Sequence, residues 1–257
     1  MSDLILVSRE DTIAVLRLNR PDVLNAINME ILSGLATLCE ELDADESIRC
    51  IVITGSDKAF AAGSDIKGNF AGKGVIELHQ LDFPRQWARF TRIKTPLIAA
   101  VSGYCLGGGC ELAMCCDVIL ASETAQFAQP EVNIGIMTGA GASQRLTRAV
   151  GKYVANDMIL TGRYVKADEA KTIGLAARVF PAATFMEDVR GVARTIASKA
   201  PLAVQLASEL VDAAQSMPLD AGLLYERRAF TMLFASEDRA EGVEAFVQKR
   251  KAVFKGR

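Results

Sequence analysis

Apolar positions recur along this chain in two patterns, and the change from one to the other divides it. Up to Phe180, short apolar runs alternate with amphipathic stretches. Residues 4–7 and 12–19 read as strands, the second apolar from Ile13 to Leu18 except at Arg17. The turn Asn19-Arg20-Pro21-Asp22 then leads to a helix predicted over 28–42, with Ile31, Leu35, Leu38 and Leu42 on one face. A buried strand over 48–54 ends at Gly55, followed by a loop over 56–68 and a helix over 76–92. Residues 96–101 form another buried strand, and 103–109 a glycine-rich turn that opens a short helix over 110–115. A strand at 118–121, the stretch 127–130 and a second glycine-bearing loop at 135–141 complete this part. Strands alternating with helices at this spacing predict an α/β architecture with crossover connections.

From Thr184 the strand signal stops and helices are predicted over 185–199, 202–215, 219–234 and 237–254. Thr184 with Glu187 reads as a capping box, and Pro201 and Pro218 fall at helix starts, where a missing N–H costs little. The chain therefore divides into an α/β core over 1–195 and a helical C-terminal region over 196–257. Tyr225, Phe230, Phe234 and Phe246 make that region too apolar for a free bundle, so it is expected to pack on the core or on another subunit.

Composition narrows the chemistry. With 257 residues, 50% of them hydrophobic, there is ample material for a packed core. The balance of 29 Lys+Arg against 31 Asp+Glu gives a net charge of −2, with no global attraction to nucleic acid or anionic lipid. The one histidine, His79, excludes imidazole-rich zinc sites and relays of several histidines. A serine triad would have to recruit His79, which lies in a polar helical stretch far from any glycine elbow. Acid–base work would fall to carboxylates. No apolar window is long enough to span a membrane, and the first residues are too acidic for a transit peptide. Six cysteines with no secretory leader fit reduced thiols in the cytoplasm. Cys105, Cys110, Cys115 and Cys116 cluster without a C-x-x-C pair or a nearby histidine, so they read as small buried hydrophobes and no metal is expected.

The run Gly107-Gly108-Gly109 after a buried strand invites phosphate readings, and two fail on spacing. Gly103 and Gly108 have Walker-loop spacing, but Gly109-Cys110 follow where Lys and Ser/Thr belong, and neither glycine loop fits G-x-G-x-x-G. What remains is a strand, a turn and a helix start with exposed N–H groups, which suits an oxyanion hole as well as a phosphate. It equally suits a tight turn that needs positive φ and close packing. Glu111 follows at once, in the first turn of an otherwise apolar helix. It reads either as a cleft-lining base or as a carboxylate placed there by the helix dipole. Glu131, after Pro130 and before the apolar stretch 132–137, interrupts a second hydrophobic context beside a glycine loop. Together the two glutamates could form an acid–base pair.

These residues carry a resemblance. The string from Lys94 to Asp117, KTPLIAAVSGYCLGGGCELAMCCD, resembles the central motif of the crotonase (enoyl-CoA hydratase/isomerase) superfamily. The match continues through Phe127-Ala-Gln-Pro-Glu131 and Gly139-Ala-Gly-Ala-Ser-Gln-Arg-Leu146, with Phe60-Ala-Ala-Gly-Ser-Asp-Ile66 upstream and Phe246-Val-Gln-Lys-Arg-Lys251 downstream. The resemblance implies a spiral of repeated ββα units with a helical C-terminal trimerisation region, assembled as a homotrimer or a hexamer. It also implies an enzyme, a hydro-lyase that adds water reversibly to a trans-2-enoyl-CoA to give a 3-hydroxyacyl-CoA, the chemistry of fatty-acid β-oxidation. Both glutamate positions are filled, as in the hydratases. The acyl-CoA would be the substrate, with no separate cofactor, metal, nucleic-acid or membrane partner.

Carried over by position, the backbone N–H groups of Ser64 and Gly108 would form the oxyanion hole. Glu111 would act as base on the water and Glu131 as acid toward the alpha carbon. Ala62, Asp65, Ile66, Lys67 and Gly139 would bind or position the substrate, and Phe246 and Lys249 would reach the acyl or CoA site of a neighbouring subunit. Departures from the family pattern are Ser64 where Ala is commoner, Asp22 for a basic residue, Thr138 for Pro and Ala142 for Gly. Two other readings remain: a double-bond isomerase of the same superfamily in which Glu131 works alone, and a non-catalytic RNA-binding module. The second has only the modest basic cluster Lys249-Arg250-Lys251 to offer.

Overall fold

The computed structural model describes residues 3–257. Among these residues ten strands form two sheets. The larger contains β1 (Ile5–Glu10), β2 (Ile13–Leu18), β3 (Cys50–Thr54), β5 (Leu97–Val101), β7 (Val118–Ser122) and β10 (Arg178–Phe180), in the order β1-β2-β3-β5-β7-β10. All neighbours in it are parallel except β1 and β2. The smaller contains β4 (Ala59–Ala61), β6 (Tyr104–Leu106), β8 (Gln126–Ala128) and β9 (Val165–Lys166), with β4, β6 and β8 parallel. Each pair β3–β4, β5–β6 and β7–β8 gives its first strand to the large sheet and its second to the small one, then a helix follows. That repeat is the spiral of ββα units implied by the motifs.

The helices are α1 (Met29–Asp43), α2 (Ile66–Asn69), α3 (Val75–Gln80), α4 (Phe83–Phe90), α5 (Gly108–Ala113), α6 (Ala142–Val150), α7 (Lys152–Thr161), α8 (Ala167–Thr172), α9 (Phe185–Ala197), α10 (Pro201–Ala213), α11 (Leu219–Met232) and α12 (Glu237–Val247). Strands β3 and β5 are buried at every position because both faces of the large sheet are covered, which is why they read as continuous apolar runs. On one face Leu16, Ile51, Ile53, Ala99 and Val101 meet Ile31, Leu32 and Leu35 of α1. On the other, Ile13, Val15, Val52 and Ile98 meet Phe185, Val189 and Ala193 of α9. Helix α9 thus belongs with the sheet, whereas α10 to α12 leave much apolar surface in solvent.

Several expectations change. The loop over 56–68 contains β4 and α2, and the glycine turn contains β6. Three-residue strands flanked by Asp57-Lys58 or by glycines are too short to show a period of two. The single helix over 76–92 is two, because Asp82 sits in the left-handed region at φ 48 and Pro84 follows near the start of α4. The short helix over 110–115 begins two residues earlier, at Gly108, and ends at Ala113. The stretch 142–180, unassigned from sequence, holds α6, α7, α8, β9 and β10. Thr184 makes no capping box: its hydroxyl donates to Asp188 Oδ2 at 2.6 Å instead. The last helix stops at Val247, not 254, where the chain reverses through Lys249 at φ 56. The tail is captured by α12, with Asp238 Oδ1 and Oδ2 accepting from the backbone of Lys255 (2.6 Å) and Gly256 (2.8 Å). Periodicity cannot anticipate such a long-range clasp.

Candidate active site

The carboxyl ends of β4, β6 and β8 lie side by side, because these three strands are parallel neighbours. Each delivers one part of a single site. After β4 comes Ala62-Gly63-Ser64, after β6 comes Gly107-Gly108, and after β8 comes Gln129-Pro130-Glu131.

The first two parts are backbone. Gly107 turns the chain at φ 47 and donates to Ala128 O at 2.9 Å, tying the end of β6 to the end of β8. Its missing side chain makes room for Glu131, whose Oε1 lies 3.0 Å from where a Gly107 Cβ would stand. Gly108 then starts α5 with its N–H free of the helix ladder. The Ser64 nitrogen is 3.4 Å from the place a Gly108 Cβ would take. Among the described residues, neither the Ser64 nor the Gly108 N–H meets an acceptor within the chain. Two free donors so close together can hold an oxygen that gains negative charge.

The Ser64 loop is itself braced. Asn25, buried at φ 58, donates to Ala59 O (2.9 Å) and Phe60 O (3.2 Å) and accepts from Arg20 N (2.8 Å). Arg20 Nη1 pairs with Asp65 Oδ2 at 3.1 Å, while Asp65 Oδ1 caps α2 by accepting from Gly68 N at 3.0 Å. The carboxylate of Asp65 is therefore engaged within the chain, and its N–H donates to Ile27 O. Lys67 and the 43% exposed Ile66 lie on α2, and Ala62 is half-buried with its N–H on Leu24 O.

The two glutamates differ in surroundings. Glu111 is 3% exposed, and its Oε1 accepts from Ala140 N at 2.7 Å and Ala142 N at 3.0 Å, at the N-terminus of α6. Burial raises its carboxyl above the usual range, opposed by the Ala142 and Ala140 N–H groups, the Arg145 charge and the Gly139 N–H. Gly139 is exposed, with open space where a Cβ would be. Glu131 is half-buried, and burial, aided by the negative Glu111, pushes its carboxyl up to about 7 against its own backbone N–H. Sequence reasoning overlooked Gln129, which is fully buried. In the orientation that satisfies both ends of its amide, it donates to Glu131 Oε1 at 3.2 Å and Oε2 at 3.3 Å. A wholly apolar setting around a lone amide in Phe127-Ala-Gln-Pro was the available signal. Thus one carboxyl is held by several donors and the other is easily protonated, which is the separation acid–base chemistry needs.

This arrangement can be set beside known proteins. The profile described as Enoyl-CoA hydratase/isomerase matches residues 8–257. The chain belongs to the enoyl-CoA hydratase/isomerase family. It is 48% identical over 250 residues to a probable enoyl-CoA hydratase of Mycobacterium bovis, covering 97% of each chain. It is 46% identical over 257 residues to the 2,3-dehydroadipyl-CoA hydratase of Escherichia coli K12, covering 100% of each. A crystal structure of an enoyl-CoA hydratase subunit from Geobacillus kaustophilus superimposes with a TM-score of 0.96 at 42% identity, over 99% of this chain and 98% of that one.

Phe246 is 85% exposed on α12, and Lys249 is exposed just beyond it. Helix α12 packs on the turn Leu233–Ala235 and on the chain end, so this chain alone leaves both residues facing solvent. In the basic cluster, Arg250 is paired through two bonds with Glu241, at 2.7 and 2.8 Å. Cys105 and Cys110 are fully buried, and burial pushes the Cys105 and Cys116 thiols well up and Cys115 to about 11. Among the described residues, no three His, Cys, Asp or Glu side chains are grouped to hold a metal ion, and no helix is long and apolar enough to cross a membrane. His79 is exposed on α3.

Proposed function

We propose that this chain is an enoyl-CoA hydratase that adds water reversibly across a trans-2-enoyl thioester. The observation that carries the reading is the pair of carboxyls beside two free N–H donors: Glu111 held by the Ala140 and Ala142 N–H groups, Glu131 pushed up to about 7. Conjugate addition puts negative charge on the thioester oxygen as the enolate forms. The Ser64 and Gly108 N–H groups take that charge, and losing one such donor costs on the order of a hundredfold or more. Water is a poor nucleophile, so ionised Glu111 removes its proton, while protonated Glu131 gives one to the alpha carbon. The two roles exchange in the reverse direction.

Ala62, Asp65, Ile66 and Lys67 are the proposed CoA side of the site, with Asp65 acting through the brace it forms with Arg20. Gly139 flanks the water. Phe246 and Lys249 are proposed to complete the site of a neighbouring copy, in a trimer or a doubled trimer. The exposed Leu223, Leu224, Phe230, Phe234 and Val243 of the helical region support that assembly, which solution mass tests. The proposed location is the cytoplasm.

Loss of the enoyl ultraviolet absorbance of crotonyl-CoA measures hydration directly. Glu131→Gln is expected to abolish turnover in a protein that stays folded, and near-normal turnover would overturn the mechanism. Glu111→Ala separates hydratase from isomerase: hydration should vanish, and isomerisation that survives alone would favour the single-glutamate chemistry.

A further inference from the structure

Glu111 is held from behind by one short segment, and that segment is gripped in turn. Ala140 turns its N–H to Glu111 Oε1 at 2.7 Å and its carbonyl to Arg145, whose Nη1 donates at 3.0 Å. Gly141 sits between them at φ 111, and a Cβ on it would stand 2.2 Å from Arg145 Nη1. The guanidinium thus fills the space that the missing side chain leaves. Arg145 lies in the first turn of α6, where the helix dipole disfavours a cation. Among the described residues it has no carboxylate oxygen within 4.0 Å. Neither the helix dipole nor an ion pair accounts for its place.

We propose that Arg145 is the positioning residue of the base: by holding the Ala140 carbonyl it aims the Ala140 and Ala142 N–H groups at Glu111 Oε1 and leaves Oε2 to the reacting water. The inference rests on the hydratase reading for its kinetic part only. The groups around Arg145 are Glu111 from α5, Cys115 beyond it, Asp212 from α10, and Asp117, which acts on Asp212; Glu131 couples to Glu111. The Arg145 charge favours the ionised forms of Glu111, Cys115 and Asp212. Of the four influences that oppose the rise burial imposes on Glu111, three are N–H groups of this segment and the fourth is the arginine that grips it. A merely structural arginine would not tie the protonation of Glu111 to the segment.

The test compares wild type, Arg145→Gln and Arg145→Lys in the intact protein. Carbon-13 carboxyl labelling of glutamate, with the Glu111 signal assigned by its loss in Glu111→Gln, reads the titration of that residue. In Arg145→Gln the Glu111 midpoint should rise, because ionised Glu111 has lost donors and positive charge. The acidic limb of kcat against pH should move up with it. Crotonyl-CoA turnover should fall roughly tenfold to a hundredfold, with KM little changed, because the base and not the substrate is misplaced. Arg145→Lys keeps the charge but not the guanidinium that reaches the Ala140 carbonyl, so its midpoint should rise less than in Arg145→Gln while kcat remains well below wild type. An unmoved Glu111 midpoint in folded Arg145→Gln, or wild-type kcat in Arg145→Lys, overturns the proposal. If wild type hydrates no enoyl-CoA, the hydratase reading fails, yet the titration still decides whether Arg145 holds Glu111.

Discussion

Gly109 lies so close to β4 that a Cβ on it would stand 2.2 Å from the Ala61 carbonyl oxygen and 2.8 Å from the Ala61 side chain. The last glycine of the run is therefore a packing contact between α5 and the small sheet, while the two before it lie at the candidate site. Gly109→Ala must push α5 off β4, and overpacking of this kind costs about 3 kcal/mol or more. Because α5 carries both Gly108 and Glu111, hydration should fall with stability. Thermal unfolding should show a melting temperature lower by roughly 6–12 °C. An unchanged melting curve would contradict the contact.

The Glu131 carboxyl makes stability depend on pH in a stated direction. Its folded value of about 7 lies above its ordinary 4.5, so the folded chain binds this proton more tightly than the unfolded one. The stabilisation is complete below 4.5 and is lost as pH rises through about 7. Glu131→Gln removes the buried negative charge and should be more stable than wild type at pH 8, by on the order of 1–3 kcal/mol. The difference should shrink as pH falls toward 4.5. Melting both proteins across that range checks it, and a gap independent of pH would refute the assignment.

Asp238 is 2% exposed and clasps the chain end, accepting from Lys255 N and Gly256 N while its own N–H donates to Arg257 O at 3.0 Å. Arg49 Nη2 adds a bond to Phe254 O at 2.9 Å, so the tail joins α12 to the core. Asp238→Ala should cost about 1–3 kcal/mol, since it unpairs two donors that a carboxylate had satisfied. Hydrogen exchange at Lys255 and Gly256 should quicken sharply while that of β3 and β5 stays slow. Equal protection in the variant would show that the clasp does not hold the tail.

Much of the large sheet was legible because its strands are buried on both faces and long enough to show it. Residues 48–54 and 96–101 read as strands from apolar composition alone, and β3 and β5 lie within them. Helix α1 was legible from Ile31, Leu35 and Leu42 on one face, and Asn28 caps it by accepting from Ile31 N at 2.9 Å. The small sheet was not legible. Its strands have two or three residues, and what makes them strands is pairing with segments far along the chain, as Ala59 pairs with Tyr104 and Tyr104 with Gln126.

Glu111, Glu131 and the glycine run stood out in the sequence because a charge in an apolar context, or a glycine where a side chain would clash, is a local anomaly. Local chemistry could name them and their residue types, but it left each with two readings. Only the tertiary structure brings them to one place, by making β4, β6 and β8 parallel neighbours whose ends carry Ser64, Gly108 and Glu131. It also brought Ala140 and Ala142 to Glu111. A carboxyl's protonation depends on which donors, charges and apolar groups surround it in space, and those neighbours are set by strand pairing and helix packing, not by adjacency along the chain.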